Sequence, residues 1–299
     1  MMVGMLIIRG MGPSLLITLR EGLEISLVLA IIAGYLKKTD RSDRIPTMWL
    51  GAGIAALTCI LLGLAFDQVI GEFTGKWEQF IEGTLALTAA AVLTWMIFWM
   101  RGHARGMQSD LQQKIDTAIE RAPWSLALVA FVAVAREGFE TVLFLLGAES
   151  SGASGSAVLL GGFIGLVLSA LLGFAFYLGS ERINLRSFFK WTGLLLILFA
   201  AGLFAKGIHE FREFFELEAS WYAAPLWQIS RGPLAEGWTA DFLSGLFGWS
   251  SDPERIRVAA YFAFLIPALW FFYREPTPQK QQAAALQEPV LQVQSDDRG

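Results

Sequence analysis

The sequence predicts an all-α, polytopic membrane protein, and three observations carry that prediction. Of its 299 residues, 55% are hydrophobic, and the mean hydropathy of +0.51 lies well above that of a soluble domain. About 20 apolar residues cross a bilayer as a helix, and seven runs of roughly that length follow one another. Two of these runs carry the same charged pattern, Arg20-Glu21-Gly22-Leu23-Glu24 and Arg136-Glu137-Gly138-Phe139-Glu140.

The first run, 14–36, is too long and too charged for the apolar region of a cleaved signal peptide, so it reads as a retained helix. The N-terminal segment 1–13 precedes it. Within that segment Met11-Gly-Pro-Ser supplies an alternative start that would leave residues 1–10 outside the native product. The second run, 48–70, has a small residue at every fourth position (Gly51, Ala55, Cys59, Gly63), and Asp67 near its end reads as an interfacial charge. The third, 80–100, is preceded by Glu78 and entered by Glu82. Between the third and fourth runs, Leu111, Ile115 and Ile119 recur among polar residues, which predicts a short amphipathic cytoplasmic helix. The fourth run, 124–147, contains the second charged motif. The fifth, 157–179, repeats the small-residue stripe as Gly161, Gly165, Ser169 and Gly173. The sixth is 191–208. A long connection, 211–255, holds Trp221, Trp227, Trp238 and Trp249 and is predicted to rest at the outer interface, where tryptophan is favoured. It is the longest outer surface and the candidate for docking a partner. The seventh run is 256–273, and the tail 274–299 reads as disordered and cytoplasmic. Residues 14–273 leave no room for a soluble domain.

Lysine and arginine concentrate on the cytoplasmic side of membrane proteins. The connections 37–47, 101–123 and 180–190 and the tail carry four, four, three and three of them, 14 in all. The opposite side carries six: Arg9, Lys76, Arg212, Arg231, Arg255 and Arg257. This predicts an outer N-terminus and a cytoplasmic C-terminus. Acidic residues lean the other way, with 13 outside (67, 72, 78, 82, 149, 210, 213, 216, 218, 236, 241, 252 and 254). An acidic mouth concentrates cations.

The motifs lie three runs apart, so their helices point in opposite directions. The spans then form a 3+3 inverted repeat, about 14–100 and 124–208, with the seventh helix as an addition. Transporters use such repeats to place a site at the repeat interface. The matching small-residue stripes, which allow close helix approach in lipid, support the same division.

Insertion scales put a charge at the centre of a membrane helix at roughly 2.5–3.5 kcal/mol, so six of them mark a functional site. Arg20 and Glu24 are four apart and Glu21 and Glu24 three apart, with the same spacing at Arg136, Glu137 and Glu140. Residues so spaced share a helix face. Each motif can hold one carboxylate by an arginine fork and direct both inward. Gly22 and Gly138 remove bulk beside the charges. Face to face, the motifs offer Glu21, Glu24, Glu137 and Glu140 as an oxygen cage for a multivalent cation, with Arg20 and Arg136 as supporting ion pairs. Two other readings stand beside this one, buried pairs that fix helix register and a proton relay without a metal. Cys59 is the one cysteine, and His103 and His209 are the two histidines. The ligands are therefore mainly oxygens, which favours hard or borderline cations.

With these residues the chain resembles the iron permease family, oxidase-dependent Fe2+/Fe3+ transporters that include a yeast high-affinity iron permease and a bacterial ferrous-iron uptake permease. The resemblance covers about 14–273. It includes the segment from Leu16 to Glu24, Lys206-Gly-Ile-His-Glu210, and Gly245-Leu-Phe-Gly-Trp249. Phe139 stands where the family often has leucine, an exchange that disturbs no charge. The resemblance implies iron import across the plasma or bacterial inner membrane, with the glutamates of both motifs as iron ligands. It also implies an extracytoplasmic ferroxidase-type, cupredoxin-like or haem peroxidase partner that delivers Fe3+. A permease for another divalent cation such as Mn2+, and a non-transporting membrane anchor of a redox complex, are the alternatives.

Glu78 and Glu82 are four apart at the outer end of the third run. His209 and Glu213 are four apart and Glu210 and Glu213 three apart after the sixth, a spacing that suits an outer relay. Lys206 could snorkel outward or pair with a motif carboxylate. The chain has no phosphate-binding loop and no convincing hydrolase, zinc or haem arrangement. No enzymatic activity, catalytic residue, organic cofactor or nucleic-acid partner is predicted.

Overall fold

The computed structural model describes residues 11–71, 74–103, 124–150, 154–177, 185–217, 220–235 and 238–274. Those residues form helices α1 (Met11–Lys38), α2 (Ile45–Gly71), α3 (Lys76–His103), α4 (Ser125–Ser150), α5 (Gly155–Tyr177), α6 (Leu185–Phe214), α7 (Ser220–Ala223), α8 (Trp238–Phe247) and α9 (Arg255–Tyr273), with a 3-10 turn at Ser42–Arg44. Each predicted run corresponds to one long helix, although Trp124 precedes α4 and residues 178–179 lie outside the described residues. The segment 1–10, the amphipathic helix predicted around Leu111, Ile115 and Ile119, and the tail from residue 275 lie outside the described residues.

The helix ends have local causes. Pro13 sits in the first turn of α1 and Pro46 in that of α2, where no intrahelical donor is lost. Lys37 and Lys38 close α1, where cations favour the carbonyl end of the helix. Pro267 lies inside α9, a position tolerated within a packed bundle. Most of the long helices run further than their apolar runs. α1 starts at Met11 rather than at 14, and α6 continues to Phe214, carrying His209, Glu210 and Glu213 inside the helix rather than after it.

Five helices, α2, α3, α5, α6 and α9, are long and apolar enough to cross a membrane. α1 and α4, of 28 and 26 residues, are the long helices that carry the charged motifs. Leu57, Ile60 and Leu64 of α2, Phe163, Leu171 and Phe174 of α5, and Phe262, Ile266 and Trp270 of α9 are exposed. Water does not tolerate so broad an apolar surface on a monomer, whereas lipid does. The chain is a multi-pass membrane protein.

Helices adjacent in sequence are not the principal partners in space. α1 packs on α5, α2 on α4, and α3 on α6, with α9 laid against α6. The small-residue stripes explain the first two pairings. A Cβ on Gly161 would lie 2.6 Å from the Met11 carbonyl oxygen and one on Gly165 2.6 Å from that of Leu15, while one on Gly51 would lie 2.7 Å from the Ala127 carbonyl carbon. These helices touch backbone to backbone. One apolar core gathers α3, α6 and α9 around Leu93, Leu196 and Phe199. A second lies between α1, α2 and α4 around Ile32, Met48 and Ala130.

The connection between α6 and α9 has its own internal order. Its strands of irregular chain are tied together, the Leu226 amide donating to the Pro253 carbonyl (2.8 Å) and the Ile229 amide to that of Ser251 (2.9 Å). The Trp227 and Trp249 rings stack at 5.5 Å, and their N–H groups donate to the Ser250 and Leu234 carbonyls. α8 then packs on α6 and α1 and buries Ala240 and Leu246. At its end Gly248, with φ +67°, meets Gly202, about 18 Å of helix before the end of α6. α8 and Gly248 therefore fold back onto the bundle, while most of the irregular chain from 225 to 234 is exposed.

That contact requires glycine twice over. A Cβ on Gly248 would stand 2.7 Å from the Gly202 Cα, and the left-handed backbone adds about 1–2 kcal/mol for any other residue. Gly248→Ala is expected to lower the thermal unfolding midpoint of the detergent-solubilised protein by several degrees. An unchanged midpoint would contradict the docked connection.

Candidate metal centre

The two charged motifs stand on α1 and α4, which touch each other while each packs chiefly on another helix. Their glycines make that possible. A Cβ on Gly22 would lie 3.0 Å from the Ser169 Cβ of α5, and one on Gly138 2.7 Å from the Cys59 sulfur of α2. Ser169 and Cys59 are the third members of the two stripes, so each motif glycine meets the same position of the opposite stripe.

Motif one is the more deeply buried. The side chains of Arg20 and Glu21 are 3% and 0% exposed. The expected arginine–carboxylate fork is not what forms. Arg20 donates from Nη1 to the Met96 sulfur at 3.6 Å and from Nη2 to the Met100 sulfur at 3.0 Å, both on α3. Glu21 Oε1 at 3.6 Å and Glu24 Oε1 at 3.4 Å are near enough for attraction, yet neither they nor Glu21 Oε2 have a hydrogen-bond partner among the described residues. At motif two, Arg136 Nε donates to Glu140 Oε1 at 3.2 Å and lies 3.8 Å from Glu137 Oε1. Its guanidinium sits 4.5 Å from the centre of the Trp99 ring, again on α3.

One oxygen from each of Glu21, Glu24 and Glu137 lies within 4.8 Å of the others. Opposite oxygens of a small octahedral cation stand about 4.2 Å apart, so the spread of this set is close to that of a cation's ligand oxygens. Glu140 is buried nearby but engaged by Arg136. The predicted four-carboxylate cage is thus three converging carboxylates and one held aside. Buried carboxylate oxygens without donors are costly unless a cation or proton answers them.

The charged groups of α3, α6 and the start of α9 sort into two clusters. Lys206 pairs with Glu82 (2.7 Å) and Glu210 (3.6 Å), not with a motif carboxylate. His209 faces Glu213 (3.4 Å) and, from the other ring nitrogen, Glu254 (3.1 Å). Oxygens and a ring nitrogen of His209, Glu213 and Glu254 fall within 4.8 Å of one another. Arg212 bonds Glu254 at 2.6 Å, and Gln79 bonds Glu213 at 3.0 Å. Glu210 therefore leaves the set its spacing suggested and Glu254 joins it. Glu78 is exposed at the start of α3.

The iron permease FTR1 family matches residues 11–273, a span that contains both motifs and every long helix. The chain belongs to the iron permease FTR1 family. It is similar to "Ferrous iron permease EfeU" of Escherichia coli O6:K15:H31 (strain 536 / UPEC), 40% identical over 272 residues that cover 87% of this chain and 95% of the relative. The protein of that name from Yersinia pestis is 36% identical over 281 residues, 90% of this chain and 96% of the relative. No solved structure matches. Membership makes the chain a transporter rather than an enzyme.

Against this family frame, four residues left unmarked by sequence reasoning touch the charged groups: Met96, Trp99, Met100 and Glu254. The first three are spaced i, i+3, i+4 on an apolar helix and look like ordinary core residues. Glu254 immediately precedes α9, where an anion suits the helix dipole, and no spacing links it to His209, 45 residues away.

The glycine contacts give a suppressor test. Gly138→Ala should destabilise the solubilised protein by about 1–3 kcal/mol through overpacking against Cys59, and Cys59→Ala, which removes the sulfur, should restore part of the loss. Failure of Cys59→Ala to relieve Gly138→Ala in a thermal melt would refute this approach of α2 to α4.

Proposed function

We propose that the protein is a permease that imports iron across a plasma or bacterial inner membrane, through a site built from Glu21, Glu24, Glu137 and Glu140. The observation that carries the reading is the convergence of Glu21, Glu24 and Glu137 from two helices in a buried setting with unanswered oxygens. Two supports stand beside it: the family match and the likeness to relatives named as ferrous iron permeases.

In this reading all seven long helices span the membrane, with the N-terminus outside and the C-terminus in the cytoplasm. Residues 14–100 and 124–208 form an inverted repeat and the last span is an addition. The pairing of helices supports the repeat. Exchanging α1 with α4, α2 with α5 and α3 with α6 turns the α1–α5 contact into α4–α2 and leaves α3–α6 unchanged. The symmetry extends to Gly22 on Ser169 and Gly138 on Cys59.

Iron arrives at the acidic outer face and meets His209, Glu213 and Glu254 first. Glu82 and Glu210, bridged by Lys206, keep that entrance negatively biased. The ion then sheds water to the motif carboxylates, which replace its hydration oxygens. Carboxylates suit hard Fe3+, in keeping with delivery by an extracytoplasmic oxidising partner of ferroxidase, cupredoxin-like or haem peroxidase type. Arg20 and Arg136 balance part of the charge while the site is empty, so the carboxylates need not all be neutralised by the ion.

Radiolabelled iron uptake in cells lacking other importers tests the site. Glu21→Gln, Glu24→Gln, Glu137→Gln and Glu140→Gln are each expected to abolish uptake at wild-type membrane levels. Normal uptake by all four removes the assignment. Excess Mn2+ should compete far less than unlabelled iron; equal competition would make the permease a general divalent-cation carrier.

The outer cluster predicts a different kinetic signature. His209→Ala and Glu254→Gln should raise the KM for iron by roughly three- to tenfold, the equivalent of one weakened ligand, with little change in maximal rate. A fall in maximal rate at constant KM would assign these residues to structure instead.

A further inference from the structure

The two site arginines lie on different helices and in different surroundings, yet one turn of α3 holds both. Met96, Trp99 and Met100 share a face by their spacing. Met96 and Met100 accept the two Nη donors of Arg20, and the Trp99 ring carries the Arg136 guanidinium. Arg20 is nearly fully buried, so its donors have no water to fall back on.

The chemistry of these partners is specific. A thioether is a weak, polarisable acceptor without formal charge, and an indole face is the strongest aromatic partner for a cation. Both hold a guanidinium in place without neutralising it. A carboxylate or a backbone carbonyl in the same position would bind the arginine more firmly, and an aliphatic side chain would leave it unpartnered. The consequence is visible at the two motifs. Arg20 has its hydrogen bonds on sulfur, and the oxygens of Glu21 and of Glu24 nearest it are left without donors. Arg136 is on the Trp99 face but still bonds Glu140, and Glu140 is the carboxylate outside the converging set.

We infer that Met96, Trp99 and Met100 form a neutral berth that takes the hydrogen bonds of Arg20 and supports the guanidinium of Arg136, so that the converging carboxylates are free to take the cation. The inference rests on the permease reading above and adds positioning residues that act through the two arginines. As an ion enters, each guanidinium must give up its attraction to carboxylate oxygens. The berth supplies an alternative partner at that moment, within a medium that offers no other. Without it, the arginines fall back on the carboxylates and compete with the incoming ion.

The test compares replacements that separate berthing from packing. Met100→Leu keeps the apolar volume and loses the acceptor, whereas Met100→Gln keeps the length and supplies an amide oxygen. If the residue only packs, Leu is tolerated and Gln is not. The berth requires the reverse: Met100→Leu raises the KM for iron about tenfold, the loss of one buried hydrogen bond, and Met100→Gln stays within about threefold of wild type. Uptake is measured in whole cells at matched membrane levels, with wild type and Glu24→Gln alongside. Any order other than Gln better than Leu overturns the inference. If a Met100 variant does not reach the membrane, Trp99→Phe and Trp99→Leu decide in its place. Phe retains a ring face and should keep uptake, Leu should raise the KM, and equal behaviour of the two overturns the inference. Wild type that transports no better than Glu24→Gln would instead overturn the permease reading, a result distinct from failure of the berth alone.

Discussion

Everything in this molecule is arranged around six formal charges on two helices, the two arginines and four glutamates of the motifs, of which all but Arg136 are largely buried. Outside a membrane, two arginines and four glutamates at such spacing would be ordinary surface pairs worth a fraction of a kcal/mol. Inside a helix bundle the same groups are answered by protein or remain unanswered. Arg20 finds methionine sulfur, Arg136 finds Glu140 and an indole ring, and several oxygens of Glu21, Glu24 and Glu137 find nothing among the described residues. A bundle that leaves carboxylate oxygens buried and undonated is stable only because surrounding packing sustains it. A site of that kind suits a passing cation better than a permanent structural pair.

The packing that sustains it is unusually direct. Residues of α1 and α5, and of α2 and α4, lie against each other at backbone distance through glycine and other small side chains. In lipid, apolar surface gives no net drive for helix association, so close van der Waals approach must supply it. The same small residues serve the chemistry. Gly22 and Gly138 sit within the charged motifs, and their lack of a side chain lets α5 and α2 close over the carboxylates from outside. Covering the charges and packing the helices are one structural solution.

The charged groups near the end of α6 follow a different logic. There the carboxylates are paired with cations, Lys206 between Glu82 and Glu210, and Arg212 across Glu213 and Glu254. Such partly exposed networks are soft, and their members exchange partners at small expense. The motif site has unpaired acceptors, whereas the acceptors of this second set are shared among cations.

The chain's linear order determined the helices and the site's ingredients. Seven apolar runs, two identical charged patterns and two matching stripes are local regularities, and in lipid a backbone segment of that length has no alternative to the helix. Helix ends beyond the apolar runs were less legible, because hydropathy falls at polar residues such as His209 and Glu213 while the helix continues through them. Tertiary structure alone decided the partners. Arg20 is four residues from Glu24, yet it spends its hydrogen bonds on methionines 76 and 80 residues away. Lys206 chose Glu82 over the motif, and Glu254 reached His209 across a connection that folds back on Gly202. Spacing tells which residues share a face. Which face meets which is fixed by the close approach of helices, and no local pattern records it.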